Sequence, residues 1–133
     1  MSDISPELDG MSVALIGTAI DLLESGDDVP VMLATDAEDG LLTFEDDTPD
    51  GCYRAACEHV GELGASCTRY AVLYDGFVQE DETDGGHAAL LFEFAERGMG
   101  NAWSGYVLYR RADDGAVEVT DPYPAGAEEL LFA

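Results

Sequence analysis

The sequence contains no lysine, and its only strongly basic residues are five arginines. Against them stand 29 aspartates and glutamates, which give the 133-residue chain a formal net charge of −24. Without a basic stretch, the chain cannot neutralise nucleic acid phosphates or anionic lipid headgroups. No apolar run reaches the roughly 18 residues needed to span a bilayer. We therefore expect no nucleic acid partner and no membrane partner.

Cysteine is also scarce, with only Cys52, Cys57 and Cys67. An odd number of thiols cannot pair completely within one chain. The N-terminal residues are acidic, whereas a secretory signal begins with basic residues. These features predict a cytoplasmic protein whose thiols are reduced.

The acidity has two explanations. It either serves solubility, as in a host whose whole proteome is acidic, or it forms a surface for a cationic partner. In both cases a net charge of −24 repels itself on so small a chain. Salt screens such repulsion over about 8 Å at physiological ionic strength. We therefore expect the stability of the fold to rise with moderate salt.

Helical periodicity predicts two helices. The first covers residues 6–25 and can end at Gly26, which is able to adopt a left-handed cap. Its apolar stripe is built from Leu8, Met11, Leu15, Ala19 and Leu22. The second helix begins with Thr48 as the cap and Pro49 in the first turn, and it ends at Gly64.

Apolar and alternating runs predict the strands, at residues 29–35, 41–45, 67–74, 87–97, 103–111 and, as a short edge strand, 117–119. Residues 121–124 contain two prolines and are predicted to lie outside any strand, and residues 128–132 are predicted to form a helical turn. The long strands are joined by short connections, so they pair antiparallel. The sequence thus predicts one α+β domain over residues 1–133, with two helices packed on one face of a mostly antiparallel sheet of about five strands.

Neither face of the long strands is cleanly polar. Two helices on one side would leave the other side open, and its apolar and aromatic composition is typical of an interface core. The predicted interaction surface consists of Tyr70, Tyr74, Trp103 and Tyr109. The N-terminal hairpin or the tail could cover this side instead, and that alternative stays open.

The main functional prediction is a non-catalytic interaction and dimerisation module, with a second copy of the chain as the twofold partner. An alternative is an acidic inhibitor or immunity-type protein that binds a basic protein, because complementary charge speeds encounter. A third is a small thiol-dependent enzyme, and it requires an activated cysteine.

Little in the sequence points to metal or cofactor chemistry. There are two histidines, and the thiols form no C-x-x-C pair, which argues against structural zinc. The acidic turns lack the ligand spacing of a calcium loop. No nucleophile elbow, phosphate loop or dinucleotide fingerprint is present. We expect no metal, no cofactor and, on balance, no enzymatic activity.

Two side-chain groupings remain as candidates. Cys67 and His87 could meet on neighbouring strands and would supply the thiol and base of the enzyme alternative. Arg69, Glu93 and Arg111 could meet across three strands as an ion-pair cluster, because an interior arginine needs a carboxylate.

Overall fold

A computed structural model describes residues 6–37, 42–44, 48–78, 87–98, 101–114, 116–120 and 123–128. Within these ranges the chain forms α1 (Pro6–Glu24), β1 (Val31–Thr35), β2 (Leu42–Phe44), α2 (Pro49–Leu63), a 3₁₀ turn (Gly64–Ser66), β3 (Arg69–Val78), β4 (His87–Glu96), β5 (Ala102–Arg111), β6 (Val117–Val119) and β7 (Tyr123–Glu128). The predicted α+β class is confirmed. The described strands number seven, more than the five or so that were predicted.

The strands form one antiparallel sheet in the order β2-β1-β3-β4-β5-β6. The seventh strand, β7, also pairs with β5. It lies beside Ala102 to Tyr106, whereas β6 lies beside Tyr109 to Arg111, so the two strands share one edge of β5. The N-terminal hairpin of β1 and β2 extends the sheet and does not fold over it, because β1 pairs with β3.

The first helix starts and ends as predicted. Pro6 is its first residue, a position where the missing N–H costs no hydrogen bond. At the other end Gly26 has a φ of 81° and donates its N–H to the Leu23 carbonyl at 3.1 Å. The Asp27 N–H donates to the Leu22 carbonyl at 2.9 Å, which completes the cap.

The second helix also has the predicted caps. The Thr48 hydroxyl oxygen accepts a hydrogen bond from the Gly51 N–H at 3.0 Å. Gly64 ends the helix with a φ of 56°, a conformation that favours glycine. In the described part of the chain, neither α1 nor α2 has the length and apolar composition that crossing a bilayer requires.

The two helices lie on opposite faces of the sheet, not on one face as predicted. Ala71 and Leu73 of β3 belong to the core beneath α1, and we call their side of the sheet the α1 face. Tyr70 and Val72 belong to the core beneath α2, and theirs is the α2 face. Each helix covers part of one face of the sheet. This explains why neither set of alternating strand residues is uniformly polar.

The strand β3 runs to Val78, four residues beyond the predicted end of this strand at residue 74. Gly76 is paired with Ala89 inside the β3–β4 ladder. A Cβ at Gly76 would lie 2.9 Å from the Leu91 Cδ1, so glycine here permits close packing and does not mark a turn.

The segment around Pro124 is a strand, which corrects the prediction that it is not. Proline lacks an N–H, but β7 is an edge strand and therefore tolerates the loss. The β5–β7 register shifts between Ser104 and Gly105. A Cβ at Gly105 would lie 2.8 Å from the Tyr123 carbonyl oxygen, so only glycine lets β7 approach β5 here. The predicted helical turn at 128–132 lies outside the described residues except for Glu128, the last residue of β7.

Candidate functional site: the open half of the α2 face

The second helix covers only part of its face. It packs against β1, β2 and β3, and among the described residues neither helix makes a substantial contact with β5 or β7 on this side. We define the open half-face by six residues of the α2 face whose side chains are half-buried or exposed: Leu91, Ser104, Tyr106, Leu108, Tyr123 and Glu128. The β4–β5 and β5–β7 registers place them on one side of the sheet.

Two stacked tyrosines lie at the centre of the open half-face. Tyr106 is paired with Leu91 on one side and with Tyr123 on the other. The rings of Tyr106 and Tyr123 are 5.3 Å apart between centroids and inclined by 26°. Tyr123 is 45% exposed, which is high for a tyrosine within a sheet. Leu91, Tyr106 and Tyr123 thus form an apolar strip across three strands.

A buried carboxylate lies where the open half-face meets α2. Glu93 is only 5% exposed. The Tyr53 hydroxyl of α2 lies 2.8 and 2.7 Å from its two oxygens and donates to the carboxylate, and the Tyr74 hydroxyl is 3.5 Å away. The Tyr53 and Tyr74 rings contact each other edge to face at 5.2 Å. This cluster joins α2 to β3 and β4.

The protonation states in this cluster follow from burial. Burial raises the pKa of Glu93, the Tyr53 hydrogen bond opposes that rise, and the charge of Glu128 adds to it. Burial also raises the pKa of Tyr53, and it raises the pKa of Tyr74 to about 12, with the charge of Glu93 contributing to both. Both hydroxyls therefore keep their protons at neutral pH and act as hydrogen-bond donors.

A second carboxylate, Glu128, lies at the outer edge of the open half-face. The Ser104 Oγ is 3.2 Å from a Glu128 carboxylate oxygen and 3.2 Å from the Gly126 carbonyl oxygen, so it donates toward both. Glu128 is exposed, and its charge acts on both Glu93 and Tyr74. Both carboxylates thus lie on the same side of the apolar strip, toward Ala102 and Ser104, with Glu93 on β4 and Glu128 on β7.

The other end of the face carries a surface cavity of about 250 Å³. Its lining includes His87, Leu108 and Thr120, together with Arg110 and Glu118, whose Nη2 and carboxylate oxygen are 2.8 Å apart. This ion pair is exposed, and pairs of that kind contribute little stability. The cavity therefore continues the open half-face with a polar rim.

Comparison of the chain with known protein families, curated proteins and solved structures found no match. Function is therefore argued from the geometry of this surface. The sequence prediction did not include Tyr106, Tyr123 or Glu128. Alternation in β5 does place Tyr106 beside Ser104, but the two prolines around Tyr123 concealed β7 and with it the second half of the stack.

The four aromatic residues predicted to form one interaction surface lie on two faces. Tyr70 is fully buried beneath α2, and Tyr74 borders the open half-face. Trp103 and Tyr109 lie on the α1 face, where Trp103 is 37% exposed and the Tyr109 hydroxyl donates to Asp75 at 2.7 Å. Trp103 and Tyr109 are at odd-numbered positions of β5, whereas the even-numbered positions of this strand lie on the α2 face.

The predicted cluster of Arg69, Glu93 and Arg111 is not brought together. Arg69 lies opposite Glu96 and pairs with it at 2.9 Å, three positions along β4 from Glu93 and on the other face. Arg111 is at the far end of β5, opposite Val117, and its side chain lies outside the described residues. Register, which composition does not reveal, decides which charges meet.

Cys67 and His87, the thiol and base that a thiol-dependent enzyme would require, are also far from each other. Cys67 precedes β3 and is fully buried, whereas His87 begins β4 and pairs with Val78 at the other end of the ladder. Burial raises the pKa of Cys57, against a hydrogen bond with Tyr53, so this thiol is not activated. Among the described residues, no group of three or more His, Cys, Asp or Glu side chains is placed to hold a metal ion.

Proposed function

We propose that the protein is a non-catalytic binding module that binds a basic protein through the open half-face. The observation that carries the proposal is the apolar strip with its exposed Tyr123 and the exposed carboxylate of Glu128 on the same face, on a chain of net charge −24. Of the two occupants expected from the sequence, a second copy and a basic protein, the charge favours the basic protein.

The chemistry of the strip suits protein contact. Aromatic residues are enriched at interfaces because each ring supplies a large contact area. Leu91, Tyr106, Leu108 and Tyr123 form a continuous apolar centre, and the polar groups Ser104 and Glu128 lie at its margin. An apolar centre with a polar margin is the usual anatomy of an interface.

Charge distinguishes the two occupants. Two copies of this chain would bring net charges of −24 into contact, and their repulsion opposes a dimer at low salt. A basic protein would instead be attracted and guided toward the surface. Added salt therefore strengthens self-association and weakens binding of a basic partner, so the two models predict opposite trends.

The experiment uses the whole chain and a short synthetic peptide of alternating arginine and leucine as the probe. Titration calorimetry from ~0.01 M to ~0.5 M NaCl should show an affinity that falls as salt rises. Leu91→Ser should weaken binding about tenfold, as removal of a central contact does. The control Val13→Ser changes a residue that is 60% exposed on α1 and should leave the affinity within about twofold.

Two results would contradict the proposal. One is an equal effect of Leu91→Ser and Val13→Ser, which would mean that the peptide binds by diffuse charge alone. The other is a light-scattering mass of two chains that increases with salt and is lost in Leu91→Ser, which would place a second copy on the surface. Thermal melts of both variants show whether each is folded under the conditions of the titration.

A further inference from the structure

We propose that the tyrosine stack and Glu128 form an anchor for an arginine side chain of the basic partner, with the guanidinium over the rings and against the carboxylate. The inference rests on the proposed function, and it names the partner group that the surface selects. It follows from the placement of three side chains, Tyr106, Tyr123 and Glu128.

The stack of Tyr106 and Tyr123 is partly open to solvent. Tyr106 and Tyr123 lie with centroids 5.3 Å apart and planes only 26° from parallel, and Tyr123 is 45% exposed. An accessible ring face attracts cations, most often arginine. Guanidinium is planar and weakly hydrated, so it stacks on such a face better than the compact ammonium of lysine.

The Glu128 carboxylate lies on the same face of the sheet as the tyrosine stack. Ser104, next to Tyr106 on the same face of β5, contacts Glu128 at 3.2 Å and so holds it toward the face. In the β5–β7 register Glu128 lies opposite Ala102, which places it on the same face of the sheet as Ser104 and Tyr106. A guanidinium there would donate its N–H groups to the Glu128 carboxylate oxygens in charge-assisted hydrogen bonds.

Among the described side chains, no arginine of the chain pairs with Glu128. Arg69 pairs with Glu96 and Asp36, and Arg110 pairs with Glu118. The pair of Arg110 with Glu118 lies on the same face, on the neighbouring strands β5 and β6. The face therefore already contains an arginine–glutamate contact, and Glu128 offers a second acceptor for an arginine supplied by a partner.

The test compares two peptides that differ only in containing arginine or lysine, titrated against the whole chain, the Leu91→Ser variant and three further variants. The arginine peptide should bind about fivefold more tightly than the lysine peptide. Tyr123→Leu, which keeps an apolar side chain, should remove that preference. Glu128→Gln should weaken the arginine peptide about threefold, whereas Glu24→Gln, the same charge change on the exposed end of α1, should have little effect.

The possible failures separate the two proposals. In one outcome both peptides bind equally tightly, Leu91→Ser weakens that binding, and Tyr123→Leu and Glu128→Gln leave it unchanged. This result would overturn the arginine anchor but not the proposed binding of a basic protein to the open half-face. Equal affinity that Leu91→Ser does not change would overturn both. A preference for arginine that persists in Tyr123→Leu would show that the guanidinium binds elsewhere and would likewise overturn the anchor.

Discussion

The substitution Tyr53→Phe tests how the buried carboxylate is held. It removes the hydroxyl that lies 2.8 and 2.7 Å from the Glu93 oxygens and keeps the ring. Glu93 is 5% exposed, so water does not readily replace the donor, and Tyr74 at 3.5 Å is a weak substitute. A hydrogen bond to a charged group contributes about 1.5–3 kcal/mol. For a chain of 133 residues, this corresponds to a fall of about 5–11 °C in Tm.

The loss should depend on pH. The pKa of Glu93 is raised in the folded state above its unfolded value of about 4.3. Below that unfolded value the carboxyl is protonated in both states and does not reduce the free energy of unfolding. As pH rises through the folded pKa, ionisation of the buried carboxyl lowers the free energy of unfolding. The Tyr53 hydrogen bond limits that decline by lowering the pKa of Glu93. Its removal raises the pKa of Glu93 further, so the cost is largest at neutral pH and shrinks toward about pH 4.

The assay is thermal and urea unfolding of both proteins near pH 7 and near pH 4. The matched control is Tyr123→Phe, which removes the hydroxyl of an exposed ring and should change the free energy of unfolding by less than about 0.5 kcal/mol. A cost for Tyr53→Phe that is no larger than the control, or that is the same at both pH values, would show that the Tyr53 hydroxyl does not hold an ionised Glu93.

Three further outcomes follow from the same structure. Gly105→Ala should destabilise the fold by about 1–3 kcal/mol in urea unfolding and reduce peptide binding, because its Cβ would lie 2.8 Å from the Tyr123 carbonyl oxygen. Gly17→Ala, whose Cβ would have nothing within 4 Å, should stabilise the fold by about 0.5–1 kcal/mol in the same assay. Burial alone would raise the pKa of Asp36, but hydrogen bonds from the Thr68 hydroxyl and the Thr68 and Arg69 amides outweigh it and lower the pKa. Asp36→Asn should therefore cost about 1 kcal/mol at neutral pH, and pH-dependent unfolding should show that cost disappearing as pH falls through the lowered pKa. The net charge of −24 predicts a Tm that rises between ~0.01 M and ~0.15 M NaCl, and a flat Tm in a salt series would contradict it.

The helices were predictable because their signals are local. Thr48 as a cap, Pro6 at the start of a helix and Gly26 and Gly64 after one each depend on a few neighbouring residues. Apolar and alternating patterns likewise located the stripe of α1 and six of the strands that are paired in the sheet. Local chemistry is present in the sequence itself, so these elements needed no knowledge of the tertiary structure.

The open half-face was not predictable in detail because it depends on long-range pairing. The tyrosine stack requires the register of β7 against β5 and the close approach at Gly105. The contact of Tyr53 with Glu93 requires α2 to lie on the face opposite α1. Both facts are set by packing among distant segments, and the apolar content of both sheet faces gave only an indirect signal of them.

A map of amide chemical shifts, recorded as the arginine–leucine peptide is added to the labelled protein, shows directly whether the open half-face is the binding surface. We expect the shifts to concentrate at Leu91, at residues 104–108 and at Tyr123 and Glu128, and to saturate together. Shifts spread over the exposed side of α1 and the acidic turns, with the open half-face unchanged, would contradict it.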